Sequence, residues 1–344
     1  LAATTASQST DFQGLRPFDL ATDLGGLADL LETCFGASMD EAGQAVVREL
    51  RMLSKGGKLV GALQGLDRLL GNIQQGFVWV EGGQMIGNTT VTPANYPPGF
   101  GKGSILSNVA VMPAYRRRGI AHALIQHALK LCRDKGDSFA ILQVDLHNDT
   151  ARTLYERLGF QIEGAFTRWV RRPTTRVLEP LPHMPQLWLR PPHEWRAEQA
   201  LAELTRSNQR GGMGWLRPIG PRTFYSGPFA RFMASLIGNV RENYVVYRDF
   251  AQRDRAGILG AVRLSMAFGA SDRADLLVHP EAAGALEKPL LNYLIRRVQD
   301  RNRALIIEHP ADDEAATAVF REYQFIARQT LVHMRIDLAQ KEYR

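Results

Sequence analysis

The chain is 344 residues long, 45% hydrophobic and 22% charged, with a formal net charge of +7. That length exceeds what one compact core ordinarily holds, so two domains are expected, and the composition excludes a low-complexity or disordered chain. No apolar run is long enough to cross a bilayer, and two cysteines, Cys34 and Cys132, make no disulfide framework and no metal cluster.

Residues 1–11 are small and polar, without the basic and apolar regions of a signal peptide, and read as a flexible tail. Residues 12–18 read as a short strand, and 24–35 and 41–53 carry helical apolar spacing. The stretch 56–76, punctuated by glycine, fits either a third helix or an irregular insertion. Residues 77–80 and 84–91, joined through Gly82 and Gly83, read as a hairpin. The Pro- and Gly-rich stretch 95–103 is a loop, and 104–111 a buried strand. A helix follows over 119–133, with Ala121, Leu124, Ile125, Ala128 and Cys132 on one stripe. Residues 140–146 form a strand, and Ala151, Leu154, Tyr155 and Leu158 mark a short helix ended by Gly159. A strand over 160–171 precedes six prolines (Pro173, Pro180, Pro182, Pro185, Pro191, Pro192), where the linker between two domains is placed.

The second half repeats this order. Leu189, Arg190 and Pro191 echo Leu15, Arg16 and Pro17. A strand over 275–278, a helix over 286–298 and a strand over 304–308 lead to a helix striped by Ala316, Val319, Phe320 and Tyr323. Aligning Phe160 with Phe325 sets that stripe on the earlier one, which points to an internal duplication.

Arginine carries most of the excess charge, and its densest cluster, Arg116, Arg117 and Arg118, sits between a strand and a helix that opens at Gly119. First-turn amides lack intrahelical partners and the helix dipole adds partial positive charge, so this junction suits a phosphate-bearing ligand. Each helix-end charge effect is worth only ~0.3–1 kcal/mol, so several amides and arginines must act together. Neither a Walker loop nor a GxGxxG pattern is present. No long basic run with interleaved aromatics supports nucleic-acid binding.

The pattern Arg116-x-x-Gly119-x-Ala121 after Val109-Ala110-Val111, followed by Asn148-x-x-Ala151-x-x-Leu154-Tyr155-x-x-Leu158-Gly159-Phe160, resembles the two signatures of the GNAT superfamily of N-acetyltransferases. The resemblance covers residues 12–180 well and the remainder loosely. It implies an α/β fold of two GNAT-like domains, each a mixed, splayed central sheet flanked by helices, over 12–182 and 186–344. It further implies acetyl-CoA as acyl donor, with no metal, and an amine acceptor on a small molecule or peptide, acetylated by direct attack in a ternary complex. Arg116, Arg117, Arg118, Gly119, Ile120 and Ala121 would hold the pyrophosphate. Val109 and Val111 would offer backbone groups to the pantetheine arm, Asn148 would lie near it, and Tyr155 would be the general acid. Their competing structural roles are solvated charge for Arg117 and Arg118, a helix cap for Asn148 and a core tyrosine for Tyr155. Glu81, Asp145 and His147 are candidate bases by proximity in the sheet, while His122 and His127 read as solvated helix-face residues. A non-catalytic acyl-CoA sensor is the alternative function. Two unpaired thiols point to a reducing, cytoplasmic setting, and no membrane partner is indicated.

In the second half Asp313 stands at the Asn148 position, Phe320 at Tyr155 and Gln324 at Gly159. The loop there, residues 278–288, lacks the arginine triplet and carries Glu281 and Glu287, which would repel phosphate. The second copy is therefore expected to be degenerate.

Overall fold

The computed structural model describes residues 12–39, 41–55, 75–94, 101–174, 177–189, 201, 204, 240–248, 257–266 and 271–338. The tail expected over 1–11, most of the ambiguous 56–76 stretch, residues 95–100 of the Pro- and Gly-rich loop and the Arg190-Pro191 echo lie outside them.

Apolar residues three and four apart build α1 (Leu24–Phe35), which buries Leu24, Leu27, Ala28, Leu30 and Leu31. With α2 (Glu41–Lys55) it packs on Val78, Val80 and Met85 of the sheet. Strand β1 (Gly14–Pro17) pairs with β2 (Gln75–Glu81), which turns into β3 (Gln84–Ala94) and then β4 (Gly103–Val111). Helix α3 (Ile120–Asp134) lays Leu124, Ile125, Ala128 and Cys132 on the opposite face from α1. Its approach depends on Gly87, where a Cβ would stand 3.0 Å from Ile120 and 3.1 Å from Leu124. Strand β5 (Phe139–Asp145), helix α4 (Asp149–Arg157) and strand β6 (Gln161–Arg171) complete this half.

No helix or strand occupies 172–187 among the described residues. The second half then supplies β7 (Trp188–Leu189), β8 (Val240–Tyr247), β9 (Ile258–Met266), β10 (Asp272–Val278), α5 (Glu287–Val298), β11 (Leu305–Pro310), α6 (Glu314–Glu322) and β12 (Ile326–Asp337). Strands β8 and β9 and the long β12 are not anticipated from the sequence.

The repeat is visible atom by atom. Asn148 caps α4 by accepting from the Ala151 N–H, and Asp313 caps α6 by accepting from the Ala316 N–H. Gly159 and Gln324 both close their helices with positive φ, at 96° and 63°. Phe160 N donates to Tyr155 O as Phe325 N does to Phe320 O. Gly260 repeats Gly87, since a Cβ there would meet Leu290 and Leu286 of the second half at 2.9 and 3.0 Å.

All strands among the described residues join one sheet in the order β1-β2-β3-β4-β5-β12-β6-β11-β10-β9-β8-β7. Strand β12 thus lies between β5 and β6 of the first half, antiparallel to both. Strand β6 in turn pairs with β11 of the second half. Thr167 and Thr330 hydroxyls meet at 2.9 Å across the β6–β12 pair, and Arg168 donates to Glu308 at 3.0 Å across β6–β11. Each half therefore borrows sheet edge from the other.

Candidate functional site

Two neighbouring strands that run parallel and then part create the site. Strands β4 and β5 pair only at Gly103↔Phe139, Ser104↔Ala140 and Ile105↔Ile141. The narrow end is filled by the Phe139 ring, which a Cβ on Gly103 would strike at 2.3 Å. Beyond Ile105 the two strands no longer pair with each other, so the β5-facing backbone of β4 borders a gap.

Which groups face it follows from alternation along a strand. Met112 N donates to Ile86 O on β3 at 2.8 Å. Val109 and Val111, the odd positions beside it, accordingly turn their amides away from β3. The Val111 carbonyl accepts from Arg116 Nε at 3.2 Å and from Cys34 Sγ at 3.5 Å. Arg116 is thus tied back to the end of β4 through its Nε.

The loop between β4 and α3 starts as a 3-10 turn over Pro113–Tyr115. Arg117 and Gly119 then take positive φ, 65° and 77°. Glycine adopts that conformation without strain, and a Cβ at 119 would meet nothing within 4 Å, so the need here is conformational. Ala123 N donates to Gly119 O, the first bond of α3, which leaves the Ile120, Ala121 and His122 amides ahead of it without intrahelical acceptors. Arg118 is engaged elsewhere: it grips Glu81 through two bonds of 3.1 and 2.8 Å and lies over the Tyr115 ring. That pairing also occupies Glu81, one of the candidate bases. Arg117 is exposed, as are His122 and His127 on α3.

On the far side of the gap Tyr155 is 6% exposed, set among Leu106, Leu142, Val144 and Phe160 and edge-on to the Phe160 ring at 5.9 Å. Burial pushes its phenol up to about 12. Asn148 spends its side-chain oxygen on the α4 cap, which leaves its amide nitrogen as the group able to face a ligand. Asp145 is held by the His147 amide at 2.9 Å and by Gln329 of β12 at 3.1 Å, while His147 is exposed. Cys34 and Cys132 are free thiols raised by burial, Cys132 to about 11, so neither is a ready nucleophile. No cluster of metal-ligating side chains occurs among the described residues.

The second half repeats the architecture with different side chains at the corresponding positions. Strands β10 and β11 also pair at three positions before parting. The loop keeps the 3-10 turn at Pro280–Ala282 and the positive φ, now at Gly284 (81°). Ala283, Gly284 and Ala285 stand where Arg116, Arg117 and Arg118 do. Glu287, at the position of Ile120, is 1% exposed and sets a carboxylate at the helix N-terminus. Phe320 replaces Tyr155 and is packed between Trp169, His309 and Phe325.

Sequence reasoning missed a polar group behind β4. Asn88 and Thr90 of β3 and Asn108 of β4 are hydrogen-bonded together. The run Asn88-Thr89-Thr90, polar on both faces of a central strand, was the available signal.

Residues 63–160 match the sequence profile of the acetyltransferase (GNAT) family. N-acetyltransferase 8 of Rattus norvegicus is 36% identical over 88 residues, 25% of this chain and 40% of that protein. Probable N-acetyltransferase family 8 member 5 of Mus musculus is 34% identical over 94 residues, 27% of this chain and 41% of that one. The chain therefore spans about two fifths of the length of these curated relatives. Among solved structures, a tandem GNAT protein from the clavulanic acid biosynthesis pathway aligns over 96% of this chain and 100% of its own, with a TM-score of 0.57 and 17% identity. A GCN5-related N-acetyltransferase from Sphaerobacter thermophilus aligns over 94% and 95%, with a TM-score of 0.60 and 16% identity. These two structures share the fold, including its two-part plan.

Proposed function

We propose that this chain is a tandem GNAT protein and an acetyl-CoA-dependent N-acetyltransferase with one working site, in residues 104–160, acting on an amine of a small molecule or a peptide. The observation that carries this reading is the parting of β4 and β5 after Ile105 with a helix N-terminus and arginines at its mouth. The site fits such a donor: a diphosphate can take the amides of Ile120 and Ala121 with Arg116 and Arg117 beside them, and an amide-bearing arm can pair with Val109 and Val111 as an added strand. Acetyl-CoA supplies the activated acyl group as a thioester.

The chain's own residues then do three things. The Val109 amide, turned into the gap, donates to the carbonyl on which negative charge develops. Tyr155, whose buried phenol stays protonated at neutral pH, gives its proton to the departing sulfur as the C–S bond breaks and the new N–C bond forms. Asn148 steadies the arm through its side-chain amide nitrogen. The amine's own proton leaves through solvent or a base near Asp145 and His147. Free cysteines fit a reducing, cytoplasmic setting for this enzyme.

The test is thiol release from acetyl-CoA against a panel of aminoglycosides, polyamines, amino acids and peptides. At least one class should accelerate release, and Arg116→Glu should abolish it. Tight binding without turnover on any amine would instead support an acyl-CoA sensor, and neither binding nor turnover would end the acyl-transfer reading.

A further inference from the structure

We propose that Asn88 is a positioning residue: its side-chain amide holds the Asn108 carbonyl on the β3 side and thereby turns the Val109 N–H into the gap between β4 and β5. This rests on the acyltransferase reading and extends it to a residue outside both sequence signatures.

The geometry is local and specific. Strand β3 advances two residues from Asn88 to Thr90 while β4 runs three, from Ala110 back to Ser107, so β4 carries one extra residue. Asn108 sits in that bulge with φ of 52°, a conformation costly for a residue with a Cβ. Asn88 Nδ2 donates to Asn108 O at 3.0 Å and lies 3.3 Å from Thr90 Oγ1, which Asn108 Nδ2 reaches at 3.4 Å. A trans peptide group points its C=O and N–H in opposite directions. Fixing the Asn108 carbonyl toward β3 therefore fixes the Val109 N–H away from it, on the side where β5 has parted.

Two further observations separate this from ordinary strand packing. Asn88 is fully buried, yet its Oδ1 has no hydrogen-bond partner among the described residues. A buried orphan acceptor lowers stability, so the side chain is a poor choice for holding two strands together. The second half supplies an internal comparison. There Gly260 pairs with Val278 as Gly87 pairs with Val111, which places Ala261 at the Asn88 position and Arg263 at Thr90. Strand β10 pairs with β9 without a register shift from Arg273 to Val278. The copy that lost the arginine loop and the tyrosine has also lost the asparagine and the bulge.

The test uses the full chain with acetyl-CoA carrying a 13C-labelled thioester carbonyl, read by difference infrared spectroscopy and by steady-state kinetics. Wild type should shift the bound carbonyl stretch to lower frequency than in solution. Asn88→Ala, the residue of the second copy, should lose most of that shift and drop kcat roughly 10–100-fold, less than removal of an oxyanion donor itself. Acetyl-CoA affinity should stay within about threefold, because the phosphate contacts are untouched. Should Asn88→Ala not fold, Asn88→Ser, whose hydroxyl is too short to reach Asn108 O, is read the same way. Wild-type shift and turnover retained in the variant would overturn the role of Asn88 alone. Absence of acetyl-CoA binding in wild type would overturn the acyltransferase reading and this proposal with it.

Discussion

Tyr155, buried in the core, and Arg116, exposed at the mouth of α3, carry the proposed chemistry from opposite settings. The tyrosine belongs to the hydrophobic stripe of α4 and is buried with it, and the same burial keeps its proton in place. Tyr155→Phe should lower turnover about 10–100-fold, toward the modest end of general-acid effects because a thiolate leaves readily, with acetyl-CoA affinity within twofold. Full thiol release by the variant would remove Tyr155 from the mechanism. With its phenol near 12, this group imposes no alkaline fall in kcat up to pH 10; a descending limb near pH 8 would require another acid. These two residues were legible in sequence because spacing put them on a helix stripe and at a helix mouth. Asn88 was not, because its role depends on a register slip between strands, and register is a property of two segments together. Arg118 was legible as a cation, but its bidentate grip on Glu81 joins residues 37 apart in sequence and depends on how β2 meets the loop.

At the scale of elements, α4 and α6 are capped alike but not equally. Asn148 accepts one amide, so Asn148→Ala should cost about 1 kcal/mol in urea denaturation, as N-caps do. Asp313 accepts the Ala316 amide and also meets His309 Nε2 at 2.8 Å, so Asp313→Ala should cost more. Equal losses would mean the histidine contact contributes nothing. Strand β12 adds a pH dependence. Burial pushes His333 down to about 3 from its usual 6.5. Between those values the unfolded chain binds a proton that the folded chain does not, so stability falls as pH drops below 6.5, by up to about 1.4 kcal/mol per unit from this group. His333→Gln should flatten that slope between pH 6.5 and 4.5 in denaturant titrations; an unchanged slope would assign it to other groups. The hairpin and the four helices α3–α6 were readable from period and caps, and the splay of β4 and β5 was implied by the family resemblance. Strand β12 was not, since nothing in Ile326–Asp337 announces that its partners lie 156 to 198 residues earlier.

For the whole molecule, the exchange of β6 and β12 makes the two halves one folding unit in physical terms. A chain ending at residue 325 leaves β5 and β6 without the strand between them and exposes their edges, so it should lose cooperative unfolding and aggregate. A soluble, cooperatively folding truncation would show that the halves stand alone. The duplication itself was visible in sequence, through Phe160 and Phe325 and the stripes before them, and so was the loss of charge in the second loop. That the second half keeps the splay and the turn, yet fills its helix N-terminus with Glu287 and its tyrosine position with a packed Phe320, emerges only in three dimensions. The most direct measurement is calorimetric titration of the intact chain and of Arg116→Glu with acetyl-CoA. The account predicts one site per chain in the wild type and none in the variant at unchanged thermal stability. Two sites per chain, or undiminished binding by the variant, would contradict it.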